Sequence, residues 1–84
     1  MKRITVYTTD PCSFCVRVKQ LLEARGVGFD EVNLSKDPEG RMELVRRTGM
    51  MSFPQVVVDD QLVGGFRETI EAAQTGRLDE LLAA

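Results

Sequence analysis

The sequence predicts a single α/β domain, residues 1–84, in which helices cover both faces of a small mixed β-sheet. Three observations carry that expectation. Two strand-like runs near the N-terminus are separated by about twenty residues with a helical pattern, which favours a parallel, right-handed crossover. Val56-Val57-Val58 and Gln61-Leu62-Val63 flank Asp59-Asp60 and read as a hairpin. The remaining apolar residues recur at helical spacing, so each helix has a stripe to bury against the sheet.

Each element follows from local chemistry. From Arg3 to Thr8, Ile4 and Val6 alternate with Thr5 and Tyr7, a β-branched and aromatic pattern that reads as a strand. Asp10-Pro11 breaks it. From Cys12 or Ser13 to about Arg25 the period changes, with Phe14, Val18, Leu21 and Leu22 at helical spacing and Gly26 placed for a left-handed C-terminal cap. Phe29 to Leu34 is a second strand. Asp37-Pro38 reads as an N-cap followed by proline at the first helical position, opening a helix that runs to Thr48 and stops at Gly49. After the irregular link holding Pro54 come the hairpin, Gly64-Gly65, and a helix striped by Phe66, Ile70 and Ala73. Gly76 interrupts that helix, and Leu78, Leu81 and Leu82 form one or two further turns.

Composition narrows the function. The chain is 43% hydrophobic and 29% charged with a net charge of −2, so it has apolar residues enough to form a core. Two cysteines are too few for a disulfide-stapled secreted scaffold. The longest apolar runs are a few residues, and Met1-Lys2-Arg3-Ile4 lacks a signal peptide's apolar stretch, so neither a membrane span nor export is expected. A pI near 5.0 argues against nucleic acid as the main partner. The expectation is a cytoplasmic protein.

Its two cysteines, Cys12 and Cys15, form a C-x-x-C pair, for which four readings compete. A structural disulfide would close a very short loop, and i, i+3 neighbours on a regular helix hold their Cβ atoms about 5–6 Å apart, beyond the usual disulfide span. A tetrahedral zinc site needs four ligands, and the chain has no histidine; a Cu(I) site is a poor fit with Asp10 where copper loops place methionine. Inert burial suits Cys15 on the helix face but not Cys12 at the helix start. Redox catalysis suits both. At a helix N-terminus, unpaired N–H groups and the dipole favour a thiolate by about 1–2 kcal/mol, roughly one pKa unit. Arg17 and Lys19 are expected to favour the Cys12 anion further and Asp10 to oppose it, while Cys15, one turn deeper, attacks a mixed disulfide formed on Cys12.

Two further signals are weak alone. Pro54 reads as a strand-starting proline or as a cis Phe53–Pro54 bond, and Gly64-Gly65 as a plain turn or as a helix start offering N–H groups to a carboxylate. Met42, Met50 and Met51 read as packing and rim residues, and Arg46-Arg47 as a solvated helix end. Phe14, inside the cysteine motif, reads as an aromatic edge for substrate docking.

Taken together, Cys12-Ser13-Phe14-Cys15, Ser52-Phe53-Pro54-Gln55 and Gly64-Gly65-Phe66 resemble the glutaredoxins in order and spacing, over nearly the whole chain. The resemblance implies a thioredoxin-like fold, a four-stranded mixed sheet flanked by helices in the order β-α-β-α-β-β-α, and disulfide reductase chemistry at Cys12 and Cys15. It implies a cis Pro54, pairing of the Phe53 backbone with the cysteinyl part of glutathione, and a γ-glutamyl carboxylate held at Gly65 and Phe66. Ser13 and Phe14 would complete the substrate site. Glutathione is the expected co-substrate, disulfide-containing proteins the partners, and a monomer the working form, with no tightly bound cofactor.

Departures from the family pattern open alternatives. The intervening pair is Ser13-Phe14 instead of Pro-Tyr, Thr9 replaces a frequent lysine, Met50 a basic residue, and Phe66-Arg67 a small residue and aspartate. Gly65-Phe66-Arg67 is similar to the redoxins that take electrons from thioredoxin reductase and serve ribonucleotide reductase, although Arg67 can also pair with a glutathione carboxylate. A hydroxyl residue after the first cysteine is also compatible with a [2Fe–2S] cluster held by Cys12 between two subunits, with glutathione completing the ligands.

Overall fold

In the computed structural model, which describes residues 2–83, eight elements follow one another: β1 (Ile4–Thr8), α1 (Ser13–Ala24), β2 (Asp30–Asn33), α2 (Pro38–Thr48), β3 (Gln55–Val58), β4 (Gln61–Gly64), α3 (Phe66–Thr75) and α4 (Arg77–Ala83). The sheet order is β2-β1-β3-β4. β1 and β2 run parallel, as the intervening helix requires, whereas β3 is antiparallel to both β1 and β4. This is the thioredoxin-like arrangement implied by the resemblance, with the C-terminal helix divided in two.

The chemistry expected at the element ends is present. Asp37 caps α2 by accepting from the Gly40 N–H at 2.9 Å, with Pro38 opening the helix. Gly49 ends it in the left-handed region at φ 76°. Gly26 follows α1 at φ 70°, and Gly76 separates α3 from α4 at φ 84°. In the hairpin turn Asp59 takes φ 53°, a region aspartate tolerates better than most side chains. Its carboxylate accepts from the Arg3 N–H at 2.9 Å, and its own N–H donates to the Arg3 carbonyl at 2.8 Å. β2 is shorter than the sequence pattern, because Phe29 and Leu34 flank the paired residues; the Leu34 N–H still donates to the Thr8 carbonyl at 2.8 Å.

Strand alternation places the core. Ile4 and Val6 lie opposite Val58 and Val56 and share a buried cluster with Val18 and Leu22 of α1, Ala72 and Ala73 of α3, and Leu78 of α4. Thr5, Tyr7, Gln55 and Val57 face the other way; Leu34 and Leu44 of α2 are buried outside that cluster. All four residues of β3 are buried and all four of β2 are exposed, so β3 is the rigid centre and β2 a wet edge.

Topology also fixes where a site can form. Because β3 is antiparallel to both neighbours, the end of β1, the start of β3 and the end of β4 meet at one end of the sheet. Tyr7 pairs with Gln55, and Val56 with Gly64. The three segments following or preceding those residues are the cysteine loop, the Pro54 loop and the start of α3.

Candidate active site

Cys12 is the N-cap of α1, with extended backbone angles of φ −155° and ψ 99°. It therefore lies just outside the helix, and its Cα is 5.2 Å from that of Cys15, to which it is joined as a disulfide. The estimate that i, i+3 cysteines stand too far apart for a bridge holds for two residues within a helix; the cap geometry of Cys12 removes the objection. The Cys15 N–H donates to Cys12 Sγ at 3.1 Å, so an orphan donor of the helix start is directed at the outer sulfur, as expected from the spacing. Cys12 is half-buried and Cys15 is 2% exposed, so one sulfur is accessible and the other sits beneath it.

The Pro54 loop stands opposite. Phe53–Pro54 is cis, as the resemblance implies, and the Phe53 carbonyl oxygen lies 3.9 Å from Cys12 Sγ. Asp10–Pro11 is also cis, which no sequence signal indicated. The Asp10 carboxylate accepts from Asn33 Nδ2 at 2.7 Å, and the Asp10 N–H donates to Ser35 Oγ at 2.6 Å, tying the cysteine loop to the end of β2.

The third segment begins at Gly64. Its φ of 133° and a hypothetical Cβ only 2.6 Å from Glu68 Cβ admit no side chain there. Gly65, the N-cap of α3, is buried; a Cβ on it would lie 3.4 Å from the Pro54 carbonyl oxygen, so the helix start presses on the loop. Glu68 reaches back and accepts from the Gly65 N–H at 2.8 Å, which leaves the next amides, of Phe66 and Arg67, at the open helix end. Glu68 is a capping residue without a Ser, Thr, Asp or Asn at the cap to announce it; its one mark in the sequence is an acid three residues after Gly65.

Phe14 and Phe66 join two of the segments, with ring centroids 4.9 Å apart. Phe14 keeps 49% of its surface exposed, and the Arg17 guanidinium lies 5.9 Å from its ring centre. Ser13 and Arg67 are exposed, while Phe53 and Phe66 are half-buried and Pro54 is buried. The tertiary structure thus brings together Cys12, Cys15, Phe14, Phe53, Pro54, Gly65 and Phe66. Phe53 also lines an adjoining groove of about 450 Å³ with Met42, Val45, Met51, Arg41 and Arg46. Met42 and Met51 are 61% and 83% exposed, so they are rim residues and not packing residues.

The expected cationic surroundings of Cys12 are corrected by the structure. Lys19 Nζ is held 3.1 Å from both carboxylate oxygens of Glu31, which also accepts from buried Thr8 Oγ1 at 2.8 Å. The Thr8 bond foremost, with Lys19 adding to it, keeps the Glu31 carboxyl below its ordinary pKa. Arg25 donates to the Ala73 carbonyl at 3.1 Å and approaches Asp79. Lys19 and Arg25 are engaged by carboxylates and a backbone carbonyl and Arg17 by the Phe14 ring, which leaves the helix start as the principal stabiliser of a Cys12 thiolate. Among the described residues, no group of three or more Asp, Glu, His or Cys side chains is placed to hold a metal ion. A bridging cluster would be held by Cys12 as a thiolate, the reduced form of this pair.

A Cys-x-x-Cys disulfide at a helix start, facing a cis-proline loop across the end of a four-stranded mixed sheet, defines a thiol–disulfide oxidoreductase of thioredoxin-like fold. The glutaredoxin family model matches residues 4–63, and the chain belongs to the glutaredoxin family. It is 39% identical over 84 residues to a glutaredoxin of Pseudomonas aeruginosa, covering 100% of both chains, and 34% identical over 82 residues to glutaredoxin 3 of Escherichia coli, covering 98% and 99%. Among solved structures it is similar to glutaredoxin from Brucella melitensis, with TM-score 0.86, 36% identity and coverage of 98% and 89%. It is likewise similar to a buckwheat glutaredoxin–glutathione complex, with TM-score 0.87, 25% identity and coverage of 98% and 77%.

Proposed function

We propose that this oxidoreductase reduces glutathione mixed disulfides and protein disulfides with glutathione as its electron donor, acting as a monomer in the cytoplasm. The single observation that carries the reading is the asymmetry of the pair. Cys12 Sγ is accessible, receives an amide N–H at 3.1 Å and faces the Phe53 backbone, whereas Cys15 is 2% exposed. Support for glutathione comes from the similarity to a glutaredoxin solved in complex with it.

In the reduced protein the Cys12 thiolate attacks the glutathionyl sulfur of a mixed disulfide. The new Cys12–S bond forms as the old S–S bond breaks, and the target leaves as a thiolate. A glutathione thiolate then attacks the Cys12-bound sulfur, releasing glutathione disulfide and returning the Cys12 thiolate. With a protein disulfide, Cys15 attacks the mixed disulfide on Cys12 instead, leaving the Cys12–Cys15 bridge and a fully reduced target. Two electrons pass in either route. The Cys15 N–H and the dipole of α1 stabilise the anion each time Cys12 leaves. The Phe53 backbone, whose carbonyl stands beside Cys12, holds the cysteinyl part. The open amides of Phe66 and Arg67, with the Arg67 guanidinium, hold the γ-glutamyl carboxylate. Ser13 and Phe14 border the same groove. A cytoplasmic site suits this chemistry because glutathione is kept reduced there.

The test is a comparison of donors on one glutathionylated peptide. Turnover is expected with glutathione and its reductase. Turnover with thioredoxin reductase and none with glutathione would overturn the proposal in favour of a dithiol redoxin of the kind that serves ribonucleotide reductase.

A further inference from the structure

Gln55 opens β3 and is fully buried at 0% exposure, an unfavourable place for a primary amide unless it is satisfied. Its Nε2 donates to the Met50 carbonyl at 2.9 Å and to the Ser52 carbonyl at 3.1 Å. Two carbonyl acceptors require the NH₂ end of the side chain at that point, so the orientation of the amide follows from its partners. Among the described residues no backbone N–H donates to either carbonyl, and this one side chain serves both. The Oε1 atom, by contrast, is buried without a partner. An apolar side chain of similar volume would remove that unsatisfied acceptor but would release the two carbonyls. The gain from the amide is therefore in the loop.

That loop is the one facing the reactive sulfur. The two bonds reach back five and three residues and strap residues 50–53 to the first residue of the fully buried central strand, where Gln55 also pairs with Tyr7. The strapped segment ends at Phe53, whose carbonyl is 3.9 Å from Cys12 Sγ. Apart from Gln55, the segment's early anchor is the Met50 N–H donating to Thr48 Oγ1 at 3.1 Å. Among the described residues nothing comparable holds Met51, which is 83% exposed.

We propose that Gln55 is a positioning residue of the redox site: its amide sets where the Phe53 backbone stands beside Cys12 and thereby how tightly the disulfide substrate is held. The inference rests on the proposed reading that the Phe53 backbone receives the glutathionyl group. Such a contact is made alike before and during sulfur transfer, so losing it raises KM and leaves kcat unchanged.

The experiment uses a glutathionylated peptide with saturating glutathione, and Gln55→Met and Gln55→Glu beside the parent protein. Gln55→Met is expected to raise KM for the peptide by about five- to tenfold at unchanged kcat. Reduction of the Cys12–Cys15 bridge by dithiothreitol, which needs no backbone contact at Phe53, proceeds at the parental rate. In Gln55→Glu a buried carboxylate meets two carbonyls, but its neutral form donates one O–H; its KM defect shrinks as pH falls from about 8 to about 6, while that of Gln55→Met does not. Parental KM in Gln55→Met, or equal pH dependence in both variants, overturns the proposal. Should the variants not fold, the parent protein decides by NMR: the Gln55 side-chain amide protons must exchange far more slowly than those of the exposed Gln20, Gln61 and Gln74, and equal rates overturn it. If the parent protein fails to turn over the peptide, the glutathione reading falls, and the exchange measurement still judges the strap.

Discussion

The two ends of the central sheet are held by different forces. At the hairpin end, charge does the tying: Lys2 and Asp59 lie 3.6 Å apart, Arg3 and Asp30 3.1 Å apart, and Asp59 exchanges hydrogen bonds with the Arg3 backbone. At the cysteine end large apolar side chains stand exposed beside Arg17 and Arg67, with Phe14 and Val16 each 49% and Met51 83% exposed. Backbone groups, the Glu68 carboxylate and the Gln55 amide hold that end together, and no ion pair reaches Cys12 among the described residues. Fixed dipoles stabilise a sulfur anion without a mobile counter-charge, and exposed apolar surface accepts a partner's side chains. A thiolate that must repeatedly attack and leave is better served by those than by a tight salt bridge.

The largest effect expected of breaking this contrast lies at the sulfurs. Cys12→Ser is expected to abolish reduction of glutathionylated peptide, as read by a coupled glutathione reductase assay; full turnover would sink the assignment. Cys15→Ser is expected to keep activity on glutathione mixed disulfides and lose it on protein disulfides, and loss of both would point to an obligatory dithiol route. Next comes the glycine that ends β4 beneath Glu68. Gly64→Ala puts a methyl within 2.6 Å of Glu68 Cβ at φ 133° and should lower stability by about 2–3 kcal/mol in urea denaturation.

A smaller effect sharpens the comparison from the electrostatic side. Lys19→Met should leave the Cys12 pKa within about half a unit of its parental value, followed by thiolate absorbance against pH, because Lys19 is already held by Glu31. A rise of a full unit would return the cation to the role expected from the sequence. The smallest effect is acid sensitivity. The folded-state pKa of Glu31 is lowered chiefly by the Thr8 bond, and that of Asp59 chiefly by the Arg3 backbone N–H. Both therefore contribute stability above the ordinary carboxylate range and lose it as pH falls through their lower folded values; from pH 6 to 8 neither contributes a slope. Glu31→Gln should flatten part of the acid limb of a Tm–pH curve, by about 0.5 kcal/mol in low salt at this exposure and less in high salt.

Much of the scaffold was legible from residues a few positions apart. Asp37-Pro38 and Gly49 bound α2, Gly76 separates α3 from α4, and the alternation of Ile4 and Val6 against Thr5 and Tyr7 assigns β1 its buried face. Cys12 and Cys15 were legible as a pair, and Pro54, Gly65 and Phe66 only through their resemblance to a family pattern. The stacking of Phe14 on Phe66 and the double bond set of Gln55 left no mark in the sequence. Neither did the diversion of Lys19 to Glu31, since a local charge count cannot show which cations already have partners.

Local chemistry thus determined by itself the helix caps, the strand faces and the cysteine spacing, because each depends on hydrogen bonds and sterics within one or two turns of chain. Tertiary structure decided the rest: that β3 lies beside β1 and antiparallel to it, and so that three loops distant in sequence converge on one sulfur. The physical reason is that contacts such as Arg25 with Ala73, or Cys12 with Phe53, exist only after the sheet has chosen its strand order, and no short stretch of sequence carries that choice.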